Sequence, residues 1–278
     1  MLTVAFHGVR GSTPVCGPDV VRYGGNTSCV VIEGAGPEPL VLDLGTGLRR
    51  YGVVHGKRPF IGTALVSHLH WDHVQGLPFF VPVLLPGARL QILGPEPDEY
   101  RTLRTAFDTF MRPPFFPVSM QQLAGRIEIE HCPTGSFRVG KATVLAREIP
   151  HSGRALGFRI AAGDAIVAYL PDHQQPVDGS FTVPDTVMEL CEGADLLVHD
   201  AQYMPEEFAL KSDWGHCTME FALAVARRAQ VRRLALFHHD PVRSDDALDQ
   251  NLACARLLGD RCGVDVFAAA EGTTVTVG

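Results

Sequence analysis

The sequence lacks long apolar runs and any start typical of a secreted protein. No segment approaches the ~20 consecutive apolar residues that span a bilayer. The first residues have neither the basic start nor the apolar length of a secretion signal. We therefore expect a cytoplasmic protein with no membrane partner.

Cysteines are few and not arranged for metal or disulfide chemistry. The seven cysteines are odd in number and form no Cys-x-x-Cys pair. A chain of 278 residues buries enough apolar surface to fold without disulfides. We expect reduced and mostly buried thiols.

Positive charge is also scarce. The chain has 24 Lys and Arg against 31 Asp and Glu, a formal net charge of −7, and no basic run longer than two residues. Nucleic-acid binding rests largely on neutralising phosphates with a basic surface. The composition therefore predicts no large nucleic acid as a partner, whereas a small phosphodiester substrate held by metal ions remains compatible with it.

The chain contains no low-complexity tract, no repeat and no obvious linker, so we expect residues 1–278 to form one domain, which could pair into a homodimer. Strand-like runs are grouped early, and helices alternate with strands later, which favours two packed sheets with helices outside. The predicted strands are 2–7, 28–33, 39–43, 62–67, 89–93, 142–149, 156–161, 165–170, 195–198, 233–237 and 264–268. The predicted helices are 97–107, 184–191, 218–229 and 245–258.

Directly after the predicted strand 62–67, three histidines and an aspartate stand within six residues. They are His68, His70, Asp72 and His73, in a chain with twelve histidines in all. Imidazole nitrogen and carboxylate oxygen are preferred ligands of divalent zinc. The spacing predicts that His68 and His70 bind one ion, and that Asp72 and His73 bind a second.

Two ions need more ligands than this loop offers. His151, Asp172 and His238 each follow a predicted strand, where side chains tend to meet in a common crevice. Asp172 is the natural bridge, because a carboxylate has two oxygens. His239 is the alternative to His238, since neighbouring residues of a strand point in opposite directions and only one of the two can reach the ions.

This ordered set resembles the metallo-β-lactamase superfamily, with His-x-His-x-Asp-His at 68–73, a lone His151, Asp172 at a strand end and a final His238. The resemblance covers nearly the whole chain. It implies the α/β class, as an αβ/βα sandwich of two packed mixed sheets with outer helices. It also implies two divalent metal ions, Zn²⁺ by default with Mn²⁺ or Fe as alternatives, and a part in catalysis for the ligand Asp72.

Two further segments resemble the tRNA 3′-processing endonucleases and their phosphodiesterase relatives. His199-Asp200-Ala201-Gln202 and Gly215-His216-Cys217-Thr218 correspond to a His-Glu-Ala-Thr and Gly-His-Ser-Thr pair in that branch. The resemblance implies that His216 is the general acid and that Asp200 supports it, although Asp reaches less far than Glu. Asp43 is expected to orient a ligand histidine.

The substrate is harder to infer. In the resembling bacterial tRNA-processing enzymes a long flexible arm separates the lone histidine from the bridging aspartate, whereas His151 and Asp172 here stand 21 positions apart with a predicted hairpin between them. This favours a metal-dependent phosphodiesterase that hydrolyses a small cyclic or diester phosphate, such as a cyclic nucleotide. The alternatives are an RNA 3′-end endonuclease and a thioester or lactone hydrolase. A non-catalytic metal-holding domain is disfavoured because every ligand position is filled.

Weaker candidates flank the motifs. Trp71, Phe79, Phe80 and Trp214 could stack on a base or sugar, or they could serve only in packing. Arg154 and His173 lie next to predicted ligands and could contact phosphate.

Overall fold

The computed structural model describes residues 1–97 and 102–278. These residues form fourteen strands and seven α-helices. The strands are β1 (Leu2–Gly8), β2 (Cys29–Glu33), β3 (Leu40–Leu42), β4 (Ile61–Leu65), β5 (Arg89–Gly94), β6 (Arg126–His131), β7 (Gly135–Val139), β8 (Ala142–Ile149), β9 (Ala155–Ala162), β10 (Ala165–Leu170), β11 (Leu196–Asp200), β12 (Arg233–Phe237), β13 (Asp265–Ala268) and β14 (Thr274–Val277). The helices are α1 (Gly47–His55), α2 (Trp71–Val74), α3 (Leu103–Phe110), α4 (Asp185–Cys191), α5 (Pro205–Lys211), α6 (Met219–Arg228) and α7 (Asp245–Asp260).

The strands form two mixed sheets of seven strands each. The first has the order β14-β1-β2-β3-β4-β5-β6 and the second the order β13-β12-β11-β10-β9-β8-β7. In the first sheet β3 to β6 run parallel, and in the second β10 to β13 run parallel, while the remaining neighbours are antiparallel. The prediction of two packed mixed sheets is confirmed.

The central strands are apolar on both faces because each sheet lies between its partner sheet and a helix layer. In β2, Val30 packs between the sheets, whereas its neighbour Val31 packs against the outer helices. In β12, Phe237 faces the inter-sheet core and Leu236 faces the helices of the second sheet. Helices α1 and α3 cover the first sheet, and α4, α6 and α7 cover the second. This alternation explains why the strands read as continuous apolar runs in the sequence.

All eleven predicted strands are present, but β6, β7 and β14 were not predicted. β6 is an edge strand in which exposed Arg126, Glu128 and Glu130 alternate with half-buried isoleucines, so its apolar signal is weak. The predicted helix 97–107 begins later, at Leu103, after Thr102 accepts a hydrogen bond from the Thr105 amide; residues 98–101 lie outside the described part of the chain.

Within the described ranges, no helix combines the length and apolar character needed to cross a membrane. The seven cysteines are all unpaired, and Cys16 and Cys254 are exposed. The organisation of residues 1–278 as one domain stays a prediction.

Candidate metal centre

The seven predicted metal ligands meet at one edge of the sandwich, in two groups that share a carboxylate. One group contains His68, His70, His151 and Asp172; the other contains Asp72, His73, His238 and Asp172. Within each group the candidate ligand atoms all lie within 4.8 Å of one another. The loops after β4, β8, β10 and β12 bring these residues together, and the motif at 68–73 divides between the groups as its spacing predicts. Their binding of metal stays a prediction.

The buried carboxylate of Asp172 presents one oxygen to each group. Its Oδ2 lies 3.6 Å from Nε2 of His68 and 3.8 Å from Nε2 of His151. Its Oδ1 lies 3.0 Å from Nε2 of His73 and 3.3 Å from Nε2 of His238. This is the arrangement that a carboxylate bridging two cations requires.

Three of these atoms are left without a hydrogen-bond partner in the protein. Nε2 of His68, Nε2 of His73 and Oδ1 of Asp172 are buried and have no hydrogen-bond partner. With Nδ1 of His73 donating to Asp43, a neutral ring would present a lone pair at Nε2 to the Asp172 oxygen 3.0 Å away, and a cation between the two atoms would satisfy both. A buried unpaired polar group costs about 1–3 kcal/mol. A divalent ion satisfies such facing acceptors, and the residues therefore fit a metal.

The charges around the candidate ligands also favour a bound cation. Burial lowers the pKa of His73, but the carboxylates of Asp172, Asp72 and Asp43 outweigh it and raise that pKa well above its usual value. Three carboxylates around one imidazole attract a positive charge, whether a proton or a metal ion. At His151, burial lowers the pKa to about 4, which keeps the ring in its neutral, metal-binding form near pH 7.

Groups behind the candidate ligands orient three of the rings with Nε2 toward the centre, as metal-binding histidines require. The hydrogen-bond partners of the Nδ1 atoms are Asp43 Oδ2 for His73 (2.8 Å), the carbonyl of Gly215 for His151 (2.8 Å) and Oε1 of Gln202 for His238 (2.7 Å). The sequence did not assign a role to Gln202, although it lies in the segment that contains Asp200. Gly11 passes so close that a Cβ there would stand 2.4 Å from Nδ1 of His238.

Asp43 is the most connected of these supporting residues. It accepts hydrogen bonds from the amide of Ser67 (2.7 Å), the hydroxyl of Ser67 (2.9 Å), the hydroxyl of Tyr169 (2.8 Å) and the ring of His73. Its backbone has a φ of 59°, a conformation that costs energy in a non-glycine residue and that the surrounding contacts must hold. The expected contact with a ligand histidine is present.

The structure distinguishes His238 from its neighbour. His238 adopts a φ of 58° directly after β12, which aims its Nε2 to 3.0 Å from Oδ2 of Asp72. His239 points the other way, where Nε2 donates to the carbonyl of Ala269 at 2.9 Å and the ring packs edge-on against Tyr23. Only His238 belongs to a candidate metal group.

We expect His238→Ala to lose one of the two ions, whereas His239→Ala keeps both. The His239 variant leaves the Ala269 carbonyl unpaired, so it should lose stability by about 1–3 kcal/mol instead. Metal content after chelation and reloading, measured beside the melting temperature, checks both variants. Two retained ions in His238→Ala would contradict the ligand assignment.

Asp72 belongs to one of the candidate metal groups and also lines the cavity beside them. Its Oδ2 accepts a hydrogen bond from the Ser12 amide at 2.7 Å. Burial raises the pKa of Asp72, but the neighbouring His73 and His238 outweigh it and hold that pKa below its usual value, so the carboxylate is ionised. Its part in catalysis stays a prediction.

The predicted acid pair lies beside the metal groups. His216 donates from Nδ1 to Oδ2 of Asp200 at 2.8 Å, and its ring stacks on that of His238 with the centroids 4.8 Å apart. Burial lowers the pKa of His216, but the charge and hydrogen bond of Asp200 outweigh it and raise that pKa. Asp200, His216 and His238 also lie within 4.8 Å of one another, but the Asp200 oxygen already accepts the His216 proton. The Asp200 carboxylate therefore favours the protonated form of the His216 ring.

A cavity of about 420 Å³ opens above these groups. Its size falls in the usual range of sites for small ligands, ~300–1,000 Å³. The lining residues are Ser12, Leu69, His70, Trp71, Asp72, Asp172 and His216. A phosphate in this cavity would lie against both the metal groups and His216.

The prediction that His173 could contact phosphate is wrong. Its ring is fully buried, and Nδ1 lies 2.9 Å from Nε2 of His199, behind His216 and Asp200. Asp172 and His173 are neighbours in sequence, but the Asp172 carboxylate faces His73 while the His173 ring faces His199. Only the His173 amide serves the site, by donating to Oδ2 of Asp200 at 3.2 Å.

Comparison with known proteins extends these findings. The sequence model of the family described as Beta-lactamase superfamily domain matches residues 45–239, which is more than half of the chain. Ribonuclease Z of Natronomonas pharaonis is 26% identical over 322 residues, covering 99% of this chain and 98% of that protein. Ribonuclease Z of Ignicoccus hospitalis is 29% identical over 285 residues, covering 88% and 90%. The metallo-β-lactamase fold protein YhfI from Bacillus subtilis superposes with a TM-score of 0.75 at 18% identity, covering 99% and 100% of the two chains.

The expectation that no large nucleic acid is a partner is wrong. It rested on a net charge of −7 and on the absence of an inserted arm, yet relatives matching nearly the whole chain carry the name Ribonuclease Z. Net charge is a sum over the whole surface and does not describe the site. Bound divalent ions add positive charge at the place where a phosphate would lie.

Proposed function

Since this chain belongs to the β-lactamase superfamily and is a metal-dependent hydrolase that acts on phosphodiester bonds, we propose that it is an endonuclease that removes the 3′ trailer of precursor tRNA. The observation that carries the proposal is the His216–Asp200 pair at 2.8 Å beside the shared carboxylate, in the two segments that resemble tRNA 3′-processing endonucleases. The relatives named Ribonuclease Z support this reading better than a small cyclic phosphodiester.

The proposed cofactors are two zinc ions. The donor set of histidine nitrogens and carboxylate oxygens suits Zn²⁺, and Mn²⁺ or Fe suits it almost as well. His68, His70 and His151 would hold one ion, Asp72, His73 and His238 the other, and Asp172 would touch both. When bound, such a pair of ions activates water and neutralises charge on the phosphate oxygens.

The remaining chemistry falls to the protein's own residues. His216 is placed to give a proton from Nε2 to the departing oxygen, because its Nδ1 is occupied by Asp200. Asp200 itself is held by the amides of Gln202 (2.9 Å) and His173 (3.2 Å), so the ring cannot swing freely. A positioned proton donor matters most when the leaving group is an alkoxide, as it is in RNA.

We expect the metal-loaded protein to cut precursor tRNA once, releasing the 3′ trailer. The assay is gel analysis of end-labelled transcripts, with mature tRNA as the uncut control and Asp172→Ala as the inactive enzyme. Hydrolysis of bis-p-nitrophenyl phosphate or 2′,3′-cyclic nucleotides by a protein that leaves precursor tRNA intact would overturn the proposal.

A further inference from the structure

Trp71 has an environment unlike that of the other aromatic residues near the site. It follows His70 directly, is 80% exposed and lines the cavity. In the part of the chain that the structure describes, its indole has no ring contact, no cation over its face and no hydrogen bond. Tryptophan carries a large apolar surface and is highly buried on average, so an open indole at the mouth of a cavity is unusual.

The other aromatic candidates are already engaged. Trp214 is 61% exposed, but Nζ of Lys211 lies 5.6 Å from its ring centre, and the residue does not line the cavity. The ring of Phe79 packs edge-on against Phe116. Phe80 is buried in the core that faces α1. Only Trp71 combines a free face with a place at the cavity.

The support beneath Trp71 is rigid. Its carbonyl accepts a hydrogen bond from the Gln75 amide at 2.8 Å, which closes the short helix α2. The next two residues, Asp72 and His73, belong to the candidate metal group, so the backbone position of Trp71 is tied to the place where a phosphate would bind. The Cα of Trp71 is therefore held at a fixed position beside the place where a phosphate would bind.

Resting on the function proposed above, we propose that Trp71 is a stacking platform for the nucleobase next to the scissile phosphate. Every base has a π-face, so stacking on an aromatic side chain tolerates any sequence. A cavity of about 420 Å³ that holds the phosphate at its base leaves the adjoining base near the rim, where the indole stands. Hydrophobic packing in the fold does not explain the residue, because its surface is in solvent.

The first test is a double-mutant cycle that combines a change of Trp71 with a change in the RNA substrate. Trp71→Ala should lower kcat/KM on RNA by roughly 5- to 150-fold, the usual worth of one base stacked on an aromatic side chain, with metal content unchanged. Trp71→Phe should recover most of the loss, and Trp214→Ala, the matched control, should stay near the wild type. Removing the base on one side of the cleavage site, by using an RNA with an abasic nucleotide there, should lower kcat/KM for the wild type. The same abasic RNA should cause almost no further loss of kcat/KM for Trp71→Ala, which already lacks the indole. The proposal is overturned if the loss from Trp71→Ala and the loss from the abasic nucleotide multiply fully, whichever side of the cleavage site carries the abasic nucleotide.

The second test does not depend on turnover. The sequence has two tryptophans, so Trp214→Phe makes Trp71 the sole indole and Trp71→Phe makes Trp214 the sole indole. With His216→Ala added to slow cleavage, a short RNA spanning the site should quench Trp71 fluorescence in a saturable way and leave Trp214 unchanged. Equal quenching of both, or of neither, overturns the platform. If the wild type cleaves precursor tRNA but these tests fail, only the platform is wrong; if it does not cleave it, the proposed function fails first.

Discussion

Asp172→Ala should empty both metal groups together and lower phosphodiester cleavage by roughly 1,000-fold or more, because the several kcal/mol that metal ions contribute to charge stabilisation are lost with them. The reason is geometric. Oδ1 faces His73 and Oδ2 faces His68, so removing one side chain takes an oxygen from each group. Metal content measured by elemental analysis, beside activity on precursor tRNA, checks both parts.

Two variants serve as controls for Asp172→Ala. Asp172→Asn keeps the volume and one oxygen, and should retain more metal than the alanine variant. His73→Ala removes a ligand from only one of the two groups, and should mainly lower the metal occupancy of that group. An Asp172→Ala protein that holds two ions as firmly as the wild type would show that the carboxylate does not bridge.

His216→Ala should keep both metals and the fold yet lose roughly 100- to 10,000-fold in kcat on RNA, the usual worth of a positioned proton donor. The imidazole stands beside the ligand groups, with Nδ1 bound to Asp200 and the ring stacked on His238. The loss should shrink on bis-p-nitrophenyl phosphate, because p-nitrophenolate departs readily without a proton. Comparing kcat for the two leaving groups separates proton donation from substrate binding.

The outcomes of that comparison are distinct. Equal losses on both substrates would mean that His216 positions the phosphate and gives no proton. Loss of metal from His216→Ala would place the residue among the ligands. Asp200→Asn should follow His216→Ala in its dependence on the leaving group, because the amide supports the protonated ring less well than the carboxylate.

Sequence reasoning succeeded where the signal is local. The loop at 68–73 carries four candidate ligands within six residues, and His151 and Asp172 follow strands whose apolar runs are unmistakable. The central strands are continuous in their apolar character because they are buried on both faces, as Val30 and Val31 show. Such patterns involve residues that are close in sequence, so they can be recognised without knowing the fold.

Predictions from the sequence were wrong or missing where a feature depends on residues that are distant in sequence. His173 adjoins Asp172 but faces His199, and β6 stands at a sheet edge with charged residues on its exposed face. The expectation about nucleic acid used the charge of the whole chain for a question about one cavity. In each case the deciding neighbours are distant in sequence.

The sequence by itself determined the fold class, the family and which residues could bind metal, because motif spacing and apolar runs are local properties. Only the tertiary structure decided that His238 rather than His239 faces Asp72, a residue 166 positions away, and that Asp43 accepts from Tyr169, 126 positions away. It also showed the two oxygens of Asp172 facing different groups and the support of His238 by Gln202. The physical reason is that side-chain direction at the end of a strand depends on a few backbone angles and on packing against distant segments, and neither leaves a mark on the local sequence.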